Sequence, residues 1–185
     1  MAAQTSTKLT YEDYVNLPND GKRYEIIDGE LYVNPSPNMK HQRVSKNIFR
    51  ALDRFVEESN LGEVFYAPSD VVLSEIDVVE PDLFFISAER MEIITKANVK
   101  GAPDIVIEVL SDGTRRYDET TKLKRYEHFG VREYWIVDPV DDSVRILRLD
   151  GKHFERIVVG GEIKSPLLPG FSLAVKDVFA ERKTH

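Results

Sequence analysis

The sequence predicts an α/β (α+β) fold: a mixed central sheet flanked by helices, with a β-hairpin on either side of that core. Three observations predict it. Two continuous apolar runs, Leu83-Phe-Phe-Ile86 and Ile105-Val-Ile-Glu-Val-Leu110, have the length and β-branched content of central strands covered on both faces. A helical apolar period runs from about Asn38 to Ser59 and marks a long helix with one buried side. Two Asp-Gly pairs, Asp28-Gly29 and Asp150-Gly151, each sit between short apolar runs, the arrangement that closes a tight hairpin.

In chain order, Thr10-Tyr-Glu-Asp13 predicts a capped helix start, the helix ending near Pro18. Tyr24 to Ile27 and Glu30 to Val33 form the first hairpin, and Pro35 to Asn38 break the chain before the long helix, which ends near Gly62. On that helix Val44, Ile48, Ala51, Leu52, Phe55 and Val56 share one side, with His41 among them, while Lys40, Arg43, Lys46, Arg50 and Arg54 form a cationic stripe elsewhere. Val64 to Tyr66 and Val71 to Leu73 read as a hairpin or bent strand across Ala67 to Asp70. Ser87 to Gly101 reads as a short helix with loops. A second helix is expected from about Arg116 to Phe129, stopped by Gly130 as C-cap, then a strand Tyr134 to Val137. Ser143 to Leu149 and His153 to Val159 make the last hairpin. The expectation is one domain over 1–185: a core of about 36–140, an N-terminal helix and hairpin over 10–34, and a C-terminal hairpin region over 141–180.

Composition removes several function classes. The absence of cysteine excludes disulfides, thiolate catalysis and thiolate zinc sites. Hydrophobic residues at 42% and charged residues at 31%, without a long apolar run, describe a globular protein with no membrane span. Met1 to Lys8 lack the apolar stretch of a signal peptide, which predicts a cytoplasmic chain. A formal charge of −7 opposes nucleic-acid binding through the whole surface, so any such contact must be local.

Glu108 is the anomaly, a carboxylate inside an apolar strand. Buried without a partner it would cost several kcal/mol, so it must protonate, pair with a cation or bind a metal. Asp82 follows Pro81 at the head of the strand beginning at Leu83, and two acids on neighbouring strands can converge on a hard cation such as Mg²⁺. Asp104 lies four residues before Glu108, about 13 Å along an extended strand, too far to share an ion. On the second helix Lys122 falls within the stripe of Leu123, Tyr126 and Phe129, whereas Lys124 points away. Lys122 is therefore either the salt-bridge partner of Glu108 or a catalytic cation, and both readings require the two to be close.

Pro81-Asp82, Glu108 twenty-six positions later on an apolar strand, and a following helix with an inward lysine resemble the PD-(D/E)XK nuclease superfamily. Tyr24-Glu-Ile-Ile-Asp-Gly-Glu30, Glu80-Pro-Asp82, Ala102 to Ser111, Asp118 to Tyr126 and Gly130 to Pro139 are similar, in the same order, to the Uma-type family of bacterial restriction endonucleases. The resemblance implies a restriction-endonuclease-like core and Mg²⁺-dependent (or Mn²⁺-dependent) hydrolysis of DNA phosphodiesters. It departs at Leu110, where the superfamily pattern would put its lysine. The resemblance then implies Asp82 and Glu108 as metal ligands and Lys122 as the displaced lysine. Glu25, His41, Glu80, Asp118 and Tyr126 are weaker candidates for the pocket or its surroundings. Lys40, Arg43, Lys46, Arg50, Arg115, Arg116 and Arg125 are candidates to grip phosphates. A catalytically silent module of the same fold, binding nucleic acid or a protein partner, is the alternative. The terminal hairpins and apolar residues such as Phe154, expected to be exposed, predict a homodimer.

Overall fold

The computed structural model describes residues 7–181; Met1 to Ser6, on which part of the targeting expectation rests, lie outside the described residues. Thr10 caps α1 (Tyr11–Val15) in a capping box with Asp13. β1 (Arg23–Ile27) and β2 (Glu30–Asn34) pair antiparallel around Asp28 and Gly29, whose φ angles are 51° and 77°. α2 (Met39–Ser59) begins at Asn38, whose side chain accepts the His41 N–H, and ends at Asn60 in the left-handed conformation.

The chain continues as β3 (Gly62–Tyr66), β4 (Val71–Ser74), β5 (Asp77–Val79) and β6 (Leu83–Ser87). A 3₁₀ segment (Ala88–Ile93), β7 (Val99–Lys100) and β8 (Ile105–Val109) follow. α3 (Arg115–Tyr117), a π-helical turn (Asp118–Lys122) and α4 (Leu123–Phe129) then run end to end, closed by Gly130. The last elements are β9 (Glu133–Asp138), β10 (Ser143–Asp150), β11 (His153–Ile157), β12 (Glu162–Ser165), β13 (Leu168–Ala174) and α5 (Val175–Val178).

The larger sheet has the order β11-β10-β9-β8-β6-β3 and the smaller β2-β1-β5-β4-β7, with β12 and β13 as a separate pair. In the larger sheet β8 and β9 are parallel and the other pairs antiparallel, because α3 to α4 carry the chain back between them. β3 and β4, expected as one hairpin or bent strand, belong to different sheets. β3 pairs with β6, setting Phe65 opposite Phe84, and β4 pairs with β5 and β7.

Side-chain alternation divides the interior. Leu83 and Phe85, Ile105, Ile107 and Val109, and Trp135 and Val137 pack with Val44, Ile48, Leu52 and Val56 of α2. Phe84, Val106, Tyr134 and Ile136 face the other way, toward Tyr126 and toward Ile27, Val71 and Val79 of the smaller sheet. The central strands are thus apolar on both faces, as their sequence requires. Phe154, expected as an exposed apolar residue at a dimer surface, is instead partly buried, its ring centroid 6.3 Å from that of Tyr134. No helix among the described residues is long and apolar enough to cross a membrane.

Candidate active site

Glu108 takes the face of β8 that Val106 takes, turned toward the smaller sheet and α4. The register of β6 on β8 sets Leu83 opposite Ile107, and one step further brings Asp82 beside Glu108. The Asp82 N–H lies 3.4 Å from Glu108 Oε2, and the Val109 N–H donates to Asp82 Oδ2 at 2.9 Å. Lys122, buried while Lys124 is exposed, donates to Glu108 Oε1 at 2.8 Å and lies 2.9 Å from Glu25 Oε1 and 3.6 Å from Asp118 Oδ1. The Tyr126 hydroxyl donates to the same Glu108 oxygen at 2.8 Å. The π turn stacks Asp118 and Lys122 on its inner side.

Acid outnumbers base here. Glu25, Glu108 and Asp118 share one ammonium, and Asp82 and Glu80 share Arg23. Burial pushes the Glu108 carboxyl up to about 8 against the pull of Lys122, with Asp118, Asp82 and Glu25 adding repulsion. Burial likewise lifts Asp118 to about 6. Burial disfavours the Lys122 ammonium too, but Glu108 and Glu25 hold it well above its usual range. Asp82 goes the opposite way: burial is outweighed by His41 and by the Val109 N–H, and its carboxyl stays below the ordinary value.

A cavity of about 20 Å³ lies among Asp82, Glu108, Asp118, Lys122, Arg23 and His41. It has room for about one water or one ion. Asp118 Oδ1, buried at its edge, accepts no hydrogen bond from the described residues. An orphaned carboxylate oxygen, hard oxygen donors and surplus negative charge suit a divalent cation. As they stand, no three acids or histidines among the described residues converge as a finished metal cluster. Glu108 Oε1 is given to Lys122 and Tyr126, and Asp82 Oδ2 to His41 and Val109.

The remaining candidates separate into two groups. Gathered at the site are Glu25, which accepts from the Glu80 N–H and from Asn34, and His41, whose Nε2 is 3.0 Å from Asp82 Oδ2. Glu80 stands one step back, held by Arg23 and by Tyr14. Several basic candidates are engaged by acids: Lys40 with Asp142, Arg43 with Glu181, Arg115 with Asp138, and Arg125 with Asp77. Lys46, Arg50 and Arg116 are exposed and pair with no carboxylate among the described residues. Arg23 is the residue that reading the sequence missed. It donates to Glu80 Oε2 and to the Glu80 carbonyl and lies 3.5 Å from Asp82 Oδ1. Its signal was present: Arg23 and Glu25 are two apart on a strand and therefore share a face.

Set against solved structures, the chain is similar to a crystal structure from Anabaena variabilis ATCC 29413, described as "a putative nuclease belonging to DUF820". The TM-score is 0.77 at 20% identity, covering 92% of this chain and 97% of that one. The likeness shows a restriction-endonuclease-like fold. Comparison with curated proteins finds no match. Residues 11–176 match the Uma2 family, described as "Putative restriction endonuclease", and with that span the chain belongs to this family.

Proposed function

We propose that the chain is a metal-dependent endonuclease hydrolysing DNA phosphodiester bonds. The observation that carries this is the contact of Asp82 and Glu108 across β6 and β8, with the Lys122 ammonium 2.8 Å from Glu108, beside a cavity the size of one ion. Asp82 and Glu108, with Asp118 as the spare donor, would hold Mg²⁺ or Mn²⁺. Such an ion, when bound, lowers the pKa of its water and offsets charge on the phosphate.

The chain's own groups supply the rest. Lys122 is anchored by Glu25 at 2.9 Å as well as by Glu108, so it keeps a partner when Glu108 turns to a cation. From there it orients the attacking water and stabilises negative charge on the phosphate oxygens. His41 and the Val109 N–H fix Asp82 through Oδ2, leaving Oδ1, among the described residues, with Arg23 at 3.5 Å.

The test is cleavage of plasmid DNA with Mg²⁺ or Mn²⁺ by wild type, Glu108→Gln and Lys122→Ala. Wild type is expected to cut, and each variant to lose at least about 100-fold, the scale of a single acid–base or electrostatic contribution. A second reading, a silent module of this fold that binds nucleic acid or a protein, is favoured by one observation: Asp82 Oδ2 and Glu108 Oε1 already have protein partners. Metal binding without cleavage of any DNA substrate would select it.

A further inference from the structure

The acids of the candidate site are recessed, with Asp82 8% and Glu108 3% exposed. A rigid duplex presents its phosphates on a broad convex surface and cannot bring one to such a floor without deformation. The approach is a groove of about 650 Å³ between the N-terminal half of α2 and the loop after β3, with His41 and Asp82 at its base. That volume is in the ~300–1,000 Å³ range of sites that enclose small ligands.

Its walls combine two chemistries. Arg23, Arg43 and Lys46 line it, and Lys46 is exposed with no carboxylate partner among the described residues. Tyr66 and Phe49 line it as well, their centroids 4.9 Å apart at 73°, an edge-to-face pair that fixes the Tyr66 ring while leaving the residue 61% exposed. Met39, 77% exposed, stands at the rim. A fixed, exposed aromatic face beside an uncompensated cation, here Lys46, is how proteins hold unpaired nucleotides, the bases stacking and the phosphates meeting the positive charge.

We propose that this groove binds an unpaired nucleotide strand, stacking a base on Tyr66 and leading the adjoining phosphate toward Asp82. The substrate class is then single-stranded or locally unpaired nucleic acid, not continuous duplex. This rests on the nuclease reading only for what happens after binding.

Fluorescence anisotropy in EDTA tests it, because binding is then read without metal or turnover. Wild type is expected to bind a labelled single-stranded DNA oligonucleotide at least about tenfold more tightly than the same sequence as blunt duplex. Tyr66→Ala should weaken single-strand binding roughly tenfold, within the range for loss of one stacked base. Tyr66→Phe, which keeps the ring, should restore it, and Lys46→Glu should weaken binding and flatten its salt dependence. An RNA oligonucleotide tells which sugar is accepted, and Tyr66-dependent binding of either strand supports the proposal. Equal or tighter duplex binding, or unchanged single-strand affinity in Tyr66→Ala, overturns it. If Glu108-dependent cleavage persists unaltered in Tyr66→Ala, the groove assignment fails and the nuclease reading stands. If the strand binds through Tyr66 and is never cut, the reverse holds.

Discussion

Val109 donates its backbone N–H to Asp82 Oδ2 at 2.9 Å, so the residue after Glu108 fixes the acid opposite Glu108. The two carboxylates are thereby positioned by one strand pairing. Asp82→Asn retains an oxygen to accept this N–H while removing the charge. It should keep the fold and lose divalent-cation binding, as should Glu108→Gln. Calorimetric titration with Mg²⁺ and Mn²⁺ decides the matter, and wild-type affinity in both variants would rule out these ligands.

Removing the ammonium should be more damaging to the fold than removing either acid. Lys122→Met leaves Glu25, Glu108 and Asp118 buried without their shared cation, and breaking a buried pair in this way costs about 3–5 kcal/mol. Urea denaturation should report that loss. The double variant with Glu108→Gln should be less unstable than the two single losses added together, since both changes remove the same Lys122–Glu108 contact.

Tyr126→Phe keeps the ring, which meets Tyr134 at a centroid distance of 4.9 Å, and deletes only the hydroxyl bound to Glu108. A loss of about 1–2 kcal/mol in denaturant midpoint measurements is expected, with Lys122 still paired. No loss would mean that the hydroxyl contributes nothing net.

Acid stability should depend on Asp138. Arg115 grips its two oxygens at 2.5 and 2.8 Å and holds the carboxyl down to about 2. A depressed folded-state pKa stabilises the fold above the ordinary value of 3.8, and that share is lost as the pH falls toward 2. Because Arg115 is one third exposed, the share is about 1 kcal/mol at neutral pH. Asp138→Asn should therefore melt below wild type at pH 7 and converge with it near pH 2.

Local chemistry made much of this legible in the sequence. Asn38 and Gly130 mark real helix ends, Asp28-Gly29 turns a real hairpin, and an acid in a doubly covered strand could be seen to need company. The inward direction of Lys122 followed from helical periodicity despite the π turn, because Lys122 closes that turn and Leu123, Tyr126 and Phe129, which set the stripe, all lie on the regular α4 beyond it. Long-range pairing was hidden. Nothing near Val64 or Val71 says that the two runs part into different sheets, since Val64 is drawn off by Phe85, twenty-one residues on, while Val71 pairs with Val79 across the next turn. Nor does a stripe of arginines show which have acids waiting: Asp77 for Arg125, Asp138 for Arg115.

Lys122 reaches Glu25 on β1 of the smaller sheet and Glu108 on β8 of the larger. The first hairpin, which the sequence presents as an attachment to the core, therefore supplies one wall of the site together with Arg23. Two fragments divided at Pro35 would each carry an incomplete charge set, the larger with a lysine short of one acid, the smaller with an acid and an arginine facing water. Co-expressed, they would regain the site only by reassociating, so metal binding in the mixture would report the docking of one fragment on the other.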